Sequence, residues 1–131
     1  MKMFLSIKFH EGGSNSELIK NIITNAKKSN NEMISIFTDY ENEGEKHFEP
    51  SELMKITFEA INSCQVLIVE FSEKGVGLGI EAGYAFAKGI PVYVIAKEGA
   101  EISDTLNGIS KEIFFYNVLE DLTDFFARIS I

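Results

Sequence analysis

The stretch Glu73-Lys74-Gly75-Val76-Gly77-Leu78-Gly79-Ile80-Glu81-Ala82-Gly83-Tyr84 sets three glycines at alternate positions just ahead of a glutamate. Glycines so spaced free the backbone for unusual torsions and let a ligand approach the main chain closely. A helix entered from this loop would turn free N–H groups and its positive dipole end towards that ligand. Glu81, in or near the first helical turn, would then be a carboxylate held against whatever the glycines cradle. A plainer account uses the same residues: glycines allow tight packing of helix on sheet, and a glutamate early in a helix is favourable for dipole reasons alone. Spacing does not choose between the two.

Other chemistries are excluded more firmly. G-x-G-x-x-G would need glycine where Ile80 stands and belongs after a first strand, and no G-K-[ST] follows to make a nucleotide-binding P-loop. His10 and His47 stand alone. No His/Cys/Asp cluster has metal spacing, and there is no G-x-S-x-G or Cys–His pair. The single cysteine, Cys64, excludes an internal disulfide framework and reads as a core thiol.

The elements that must position Glu81 follow from periodicity. Residues 2–9 alternate as a first strand. Ser14 and Glu17 have capping-box spacing, and Leu18, Ile19, Ile22, Ile23 and Ala26 fall on one face of the helix that follows. Residues 33–37 read as a short second strand and 39–49 as an acidic connection. Pro50 suits the first turn of a helix carrying Leu53, Ile56, Ala60 and Ile61. Residues 65–71 (QVLIVEF) form a continuous apolar run, as in a central parallel strand. A helix then runs to its natural stop at Gly89. Residues 91–96 and 112–116 make the fourth and fifth strands. Asn117 with Glu120 opens a last helix with Val118, Leu119, Leu122, Phe125, Phe126 and Ile129 inward. Alternating strands and helices predict an α/β, Rossmann/flavodoxin-like three-layer sandwich with a five-stranded parallel sheet, formed by residues 1–131 as one domain. Ligands of such sheets bind beyond the carboxyl ends of the strands, where the glycine-rich loop falls.

Composition agrees with a small-molecule protein. The chain has 131 residues, 45% of them hydrophobic, and a net charge of −8. Such a charge repels nucleic-acid backbones and anionic membranes. No segment approaches the ~18 apolar residues of a membrane span, and the N-terminus does not read as a signal peptide, so a cytoplasmic protein is expected.

The run VLIVEFSEKGVGLGIEAGYAFAKGIPVYVI resembles the signature of the nucleoside 2-deoxyribosyltransferase family, an apolar strand, a loop, G-x-G-x-E-x-G-x-A, and a strand beginning near proline. Gly77, Gly79, Glu81, Gly83 and Ala85 meet it. The match is specific over residues 60–96, and its nearest branch is the small 2′-deoxynucleoside 5′-monophosphate N-hydrolases. The resemblance implies that Glu81 attacks the anomeric carbon of a nucleoside or nucleotide and forms a glycosyl ester, released by water or by a second base. The helix N-terminus beside Glu81 would help keep it ionised. Glu70, at the end of the third strand, would orient Glu81 or the sugar, or be simply a polar strand end. Gly75, Gly77 and Gly79 would cradle sugar or phosphate. Lys8 and Ser103 stand near phosphate-contacting positions of the hydrolase branch, although Ser103 reads equally well as a helix N-cap. Tyr84 reads as packing.

The chain also departs from the family. Thr57 stands by register where the family has an aspartate, Gln65 where a strand begins with aspartate, and Gly75 where the hydrolase branch has a phosphate-loop serine. The loop after the first strand lacks its usual glycine. A purine with a low barrier to departure, or another acid such as Glu70 or one within residues 39–49, could compensate, or the protein is a nucleotide-binding or sensor domain with an idle glutamate. A related phosphoribohydrolase reading lacks its P-G-G-x-G-T loop. The resemblance implies no cofactor or metal, and a homodimer or larger homo-oligomer for which the apolar segment 82–87 offers a surface.

Overall fold

A computed structural model describes residues 1–130. Strands β1 (Lys2–Ile7), β2 (Glu32–Ile34), β3 (Val66–Glu70), β4 (Val92–Lys97) and β5 (Glu112–Tyr116) alternate with helices α1 (Ser16–Lys28), α2 (Ile36–Asp39), α3 (Pro50–Asn62), α4 (Val76–Ala87), α5 (Asp104–Ile109) and α6 (Asp121–Ala127). The strands form one all-parallel sheet in the order β2-β1-β3-β4-β5. This is the flavodoxin-like order, with its switch of direction beside β1 and β3.

Side-chain alternation divides the core into two layers. Met3, Leu5, Val66, Ile68, Ile95 and Tyr116 face α1 and α6. Phe4, Leu67, Val69, Val92 and Val94 face α3, α4 and α5. β3 is buried along its whole length, which is why it reads as an unbroken apolar run.

Several local expectations change. β1 stops at Ile7 rather than Phe9. Ser14 does not cap α1: its N-cap is Asn15, whose side chain instead spans the turn, accepting from His10 N and donating to the Lys8 carbonyl. The segment expected as a strand over 33–37 is strand only as far as Ile34. Ser35 then caps a single helical turn, its Oγ accepting from Thr38 N at 3.2 Å while Asp39 accepts from Ser35 N at 2.9 Å. The last helix begins at Asp121, whose carboxylate accepts from the N–H groups of Asn117 and Val118. Val118 consequently sits outside the apolar stripe, 55% exposed. Gly89 does end α4 in the left-handed region, at φ 76°.

Candidate active site

Glu81 is reached from the sequence in two steps. β3 ends at Glu70, and the chain crosses in extended form to Gly75, the N-cap of α4 (φ −164°, ψ 138°). The helix then starts at Val76, so Gly77 and Gly79 are helical residues rather than loop residues, and Glu81 falls in the second turn. None of the three glycines has a positive φ. Their backbone does not need glycine; what glycine supplies here is the missing side chain. A Cβ at Gly77 would stand 3.7 Å from Glu81 Oε2, on the open face of the carboxyl, whereas one at Gly79 would meet nothing within 4 Å.

Ser6, the buried polar residue near the end of β1, projects to the same side of the sheet as Phe4. Its Oγ donates to Glu81 Oε1 at 2.8 Å. The carboxyl is otherwise largely buried. Burial pushes the Glu81 carboxyl up to about 7, with the Ser6 hydrogen bond working in the opposite direction. The expectation that the helix N-terminus holds Glu81 ionised is therefore corrected. Dipole stabilisation fades beyond the first turn, and in the second turn desolvation wins.

Glu81 and Gly77 open onto a cavity of about 300 Å³ between β1, α2 and α3, walled also by Phe9, Phe37, Thr57 and Glu41. Phe9 stacks on Phe37 at 4.3 Å between ring centroids. Thr57 is buried and gives its hydroxyl proton to the Leu53 carbonyl of its own helix at 2.8 Å. Glu41 follows α2 and is the second acidic residue in the cavity lining. Burial raises its pKa, and the charge of His47 opposes that shift.

Glu70 is elsewhere. It shares parity with Ile68 and so points to the α1/α6 side, opposite Ser6 and Glu81. It is buried and accepts from Ser72 N (2.8 Å), Ser72 Oγ (2.7 Å) and Tyr116 OH (2.5 Å). Ser72 in turn accepts from Lys97 N at 2.9 Å. Burial and the adjacent Glu70 carboxyl push the Tyr116 phenol well above its ordinary value. Glu70 therefore ties the ends of β3, β4 and β5 together and does not orient Glu81.

The remaining expected residues gather around a second cavity, of about 630 Å³, on the other flank of α4. Lys8, Gly75, Gly79 and Ser103 line it, with Lys74 and Thr105. Ser103 caps α5, accepting from Leu106 N at 3.4 Å. Tyr84 stacks on Phe58 at 4.1 Å and accepts from Asn62 at 2.7 Å, a packing role. The first turn of α4 is thus a partition, with Gly77 and Glu81 facing one cavity and Gly75 and Gly79 the other. Among the described residues, no group of three or more His, Cys, Asp and Glu side chains is placed to hold a metal ion.

By sequence, no protein-family model matches the chain, and neither does any curated protein. Solved structures do match over nearly its whole length. The CMP N-glycosidase BcmB of Clostridium botulinum aligns with a TM-score of 0.69 at 20% identity, over 95% of this chain and 97% of that one. A 2-deoxyribosyltransferase from Bacillus psychrosaccharolyticus aligns with a TM-score of 0.75 at 14% identity, over 95% and 91%. A conserved protein from Enterococcus faecalis aligns with a TM-score of 0.70 at 14% identity, over 96% of each chain. The chain shares the fold of these proteins. Within this shared fold the G-x-G-x-E-x-G-x-A segment, Gly77 to Ala85, lies inside α4, and Thr57 lines the same cavity as Glu81.

Two residues at this site, the Glu81 partner Ser6 and the cavity residue Glu41, are not singled out by the sequence. Ser6 had a legible signal: it is the one hydroxyl in an otherwise apolar strand, on the Phe4 side. Glu41 lay unresolved within the acidic 39–49 segment, because its placement depends on the helical turn of α2 that strand-like alternation concealed.

Proposed function

We propose that this protein cleaves or transfers the N-glycosidic bond of a nucleoside or nucleoside 5′-monophosphate, with Glu81 as nucleophile. The observation that carries the reading is the Glu81 carboxyl itself: desolvated, held by Ser6 at 2.8 Å, and open on the Gly77 side to a cavity of small-molecule size. The fold shared with an N-glycosidase and a deoxyribosyltransferase supports it. The ionised carboxylate forms a bond to the anomeric carbon as the bond to the base breaks, and its charge stabilises the oxocarbenium-like transition state. Water or a second base then attacks the same carbon and returns the carboxylate.

The two cavities suggest how a nucleotide would lie. The Glu81 cavity has two carboxyls and no Lys or Arg in its lining, so it suits sugar and base. The cavity across α4 has Lys8, Lys74 and the hydroxyls of Ser103 and Thr105, a set that suits a phosphate. In this proposal Glu70 is structural and no cofactor takes part.

A homo-oligomer belongs to the same proposal, with a correction to the surface that forms it. Ala82 and Ala85 are buried within the monomer, so the apolar face of α4 left open is Val76, Ile80 and Phe86, at 83%, 48% and 56% exposure. Gly79 and Gly83 lie between them with nothing in front.

Base release from a panel of nucleosides and their 5′-monophosphates, with and without a second free base, tests the function. Release by the wild type that disappears in Glu81→Ala supports it, and dependence on the acceptor base separates transfer from hydrolysis. A folded wild type that binds nucleotides yet releases no base is a nucleotide-binding module instead.

A further inference from the structure

A leaving base needs a proton, and Thr57, which lines the cavity in place of an acid, has committed its hydroxyl to Leu53. One other acidic residue lines Glu81's cavity: Glu41. The structure assigns Glu41 as the general acid that protonates the departing base, an inference that rests on the glycosidic reading above.

Local main-chain bonds fix this position. Glu41 N donates to the Ile36 carbonyl at 2.9 Å, and the Glu41 carbonyl accepts from Gly44 N at 3.0 Å and Lys46 N at 2.9 Å. Asn42 and Glu43 take the left-handed region, at φ 47° and 56°, to make that turn. A Lys20–Glu43 ion pair at 2.9 Å ties it to α1. The main chain at Glu41 is therefore held by three hydrogen bonds where the residue lines the cavity wall.

The cavity's task divides between two carboxyls in opposite protonation states. Glu81 must be ionised to attack, and Glu41 must be protonated to donate. A base seated against Glu41 removes its remaining water and favours its acid form. The positive charge developing at the anomeric carbon favours the ionised form of Glu81. His47 is the charged neighbour that opposes protonation of Glu41. As the glycosidic bond breaks, its electron pair stays on the base nitrogen. The Glu41 proton goes to a ring nitrogen or carbonyl of the base, and Glu41 is left as a carboxylate. In the second half, that carboxylate takes a proton from the attacking water or acceptor base, which restores the starting state.

Glu41→Gln tests this with paired substrates. A purine nucleoside requires protonation to leave, whereas its N7-methylated counterpart already carries the positive charge. Turnover of the unmethylated substrate at low concentration should fall about 100-fold or more, the scale of general-acid assistance, and that of the methylated one less than about 10-fold. The variant should also lose the alkaline fall of the wild-type pH profile. If the protein accepts only pyrimidine nucleosides, that alkaline limb decides. An equal change on both substrates, or an alkaline limb that persists, overturns the assignment while the Glu81 reading stands. A wild type inert on every substrate overturns the glycosidic reading itself.

Discussion

Ser6 Oγ donates to Glu81 Oε1 across 75 residues of chain, joining the end of the first strand to the second turn of α4 at 2.8 Å. This is the side-chain hydrogen bond that the buried carboxyl receives, and it acts against the desolvation that raises the Glu81 pKa. Removing it with Ser6→Ala withdraws a hydrogen bond to the charged form, worth roughly 1.5–3 kcal/mol. The midpoint of the rising pH limb should move up by about one unit or more. Activity at pH 7 should fall about tenfold and recover in part at pH 9. A uniform loss at all pH values would mean that Ser6 positions substrate instead.

The same shift sets the profile of Glu41→Gln, in which Glu81 is the titrating carboxyl of the cavity. With Glu81 at about 7, kcat/KM of that variant rises with pH through that value as the nucleophile ionises. Stability runs the other way. An unfolded glutamate releases its proton near 4.5, so between about 4.5 and 7 the folded chain binds the proton more tightly. That contribution is fully present below 4.5 and is lost as pH rises through 7. Glu81→Gln carries no such term. Urea unfolding at pH 5 and pH 8 should show the variant gaining on the wild type, by up to about 3 kcal/mol across the interval. A difference independent of pH would contradict a desolvated carboxyl at this position.

The partition made by α4 separates two glycine substitutions. Neither Gly77 nor Gly79 needs a positive φ, so alanine at either should favour the helix by up to about 1 kcal/mol. A methyl at Gly79 meets nothing, and Gly79→Ala should stabilise while leaving the chemistry of Glu81 in place. A methyl at Gly77 comes within 3.7 Å of Glu81 Oε2 and covers the approach to it. Gly77→Ala should therefore raise the melting temperature and lower kcat/KM by tenfold or more. Thermal melts read beside base release would distinguish them.

Much of this arrangement was written in the sequence, and the failures have a common cause. β3 and β5 and the end of α4 at Gly89 announce themselves through apolar runs and turn chemistry. Helix starts were harder. Ser14, Asn15 and Asn117 are all cap-type residues, and which one caps depends on tertiary bonds such as Asn15 to Lys8 and Asp121 to Asn117. The strand-like alternation of residues 33–37 hid α2, because Ser35 and Asp39 bond locally and outcompete a longer ladder. Glu81 was legible because its motif is local in sequence. Glu41 and Ser6 join it only through the fold. Glu70 read equally as a partner of Glu81 or the sugar and as a polar strand end, and parity was the missing piece: it alternates with Val69, so it points away from the face that holds Glu81.

That parity gives Glu70 a test of its own. Tyr116→Phe removes a buried donor from Glu70 and leaves the strand ends β3 and β5 less firmly joined. Stability should drop by about 1.5–3 kcal/mol. The pH profile of the folded variant should be unchanged, because the bond lies on the opposite side of the sheet from Glu81. A shifted rising limb would place Glu70 in communication with the nucleophile after all.

The exposed face of α4 makes the last prediction. Val76, Ile80 and Phe86 leave the apolar side of the helix uncovered, with Gly79 and Gly83 recessed between them. Such a ridge and groove lets a second helix approach closely, and a second copy of the chain presents the same surface about a two-fold axis. Sedimentation of the wild type should give a dimer or larger species, and Ile80→Lys with Phe86→Glu should give a monomer. Gly79 also lines the Lys8–Ser103 cavity, so covering this face would bring the partner to the rim of that cavity. Dissociation should then raise KM for nucleoside 5′-monophosphates more than for nucleosides. A wild type monomeric at assay concentration, with full activity, would remove both the interface and the shared cavity.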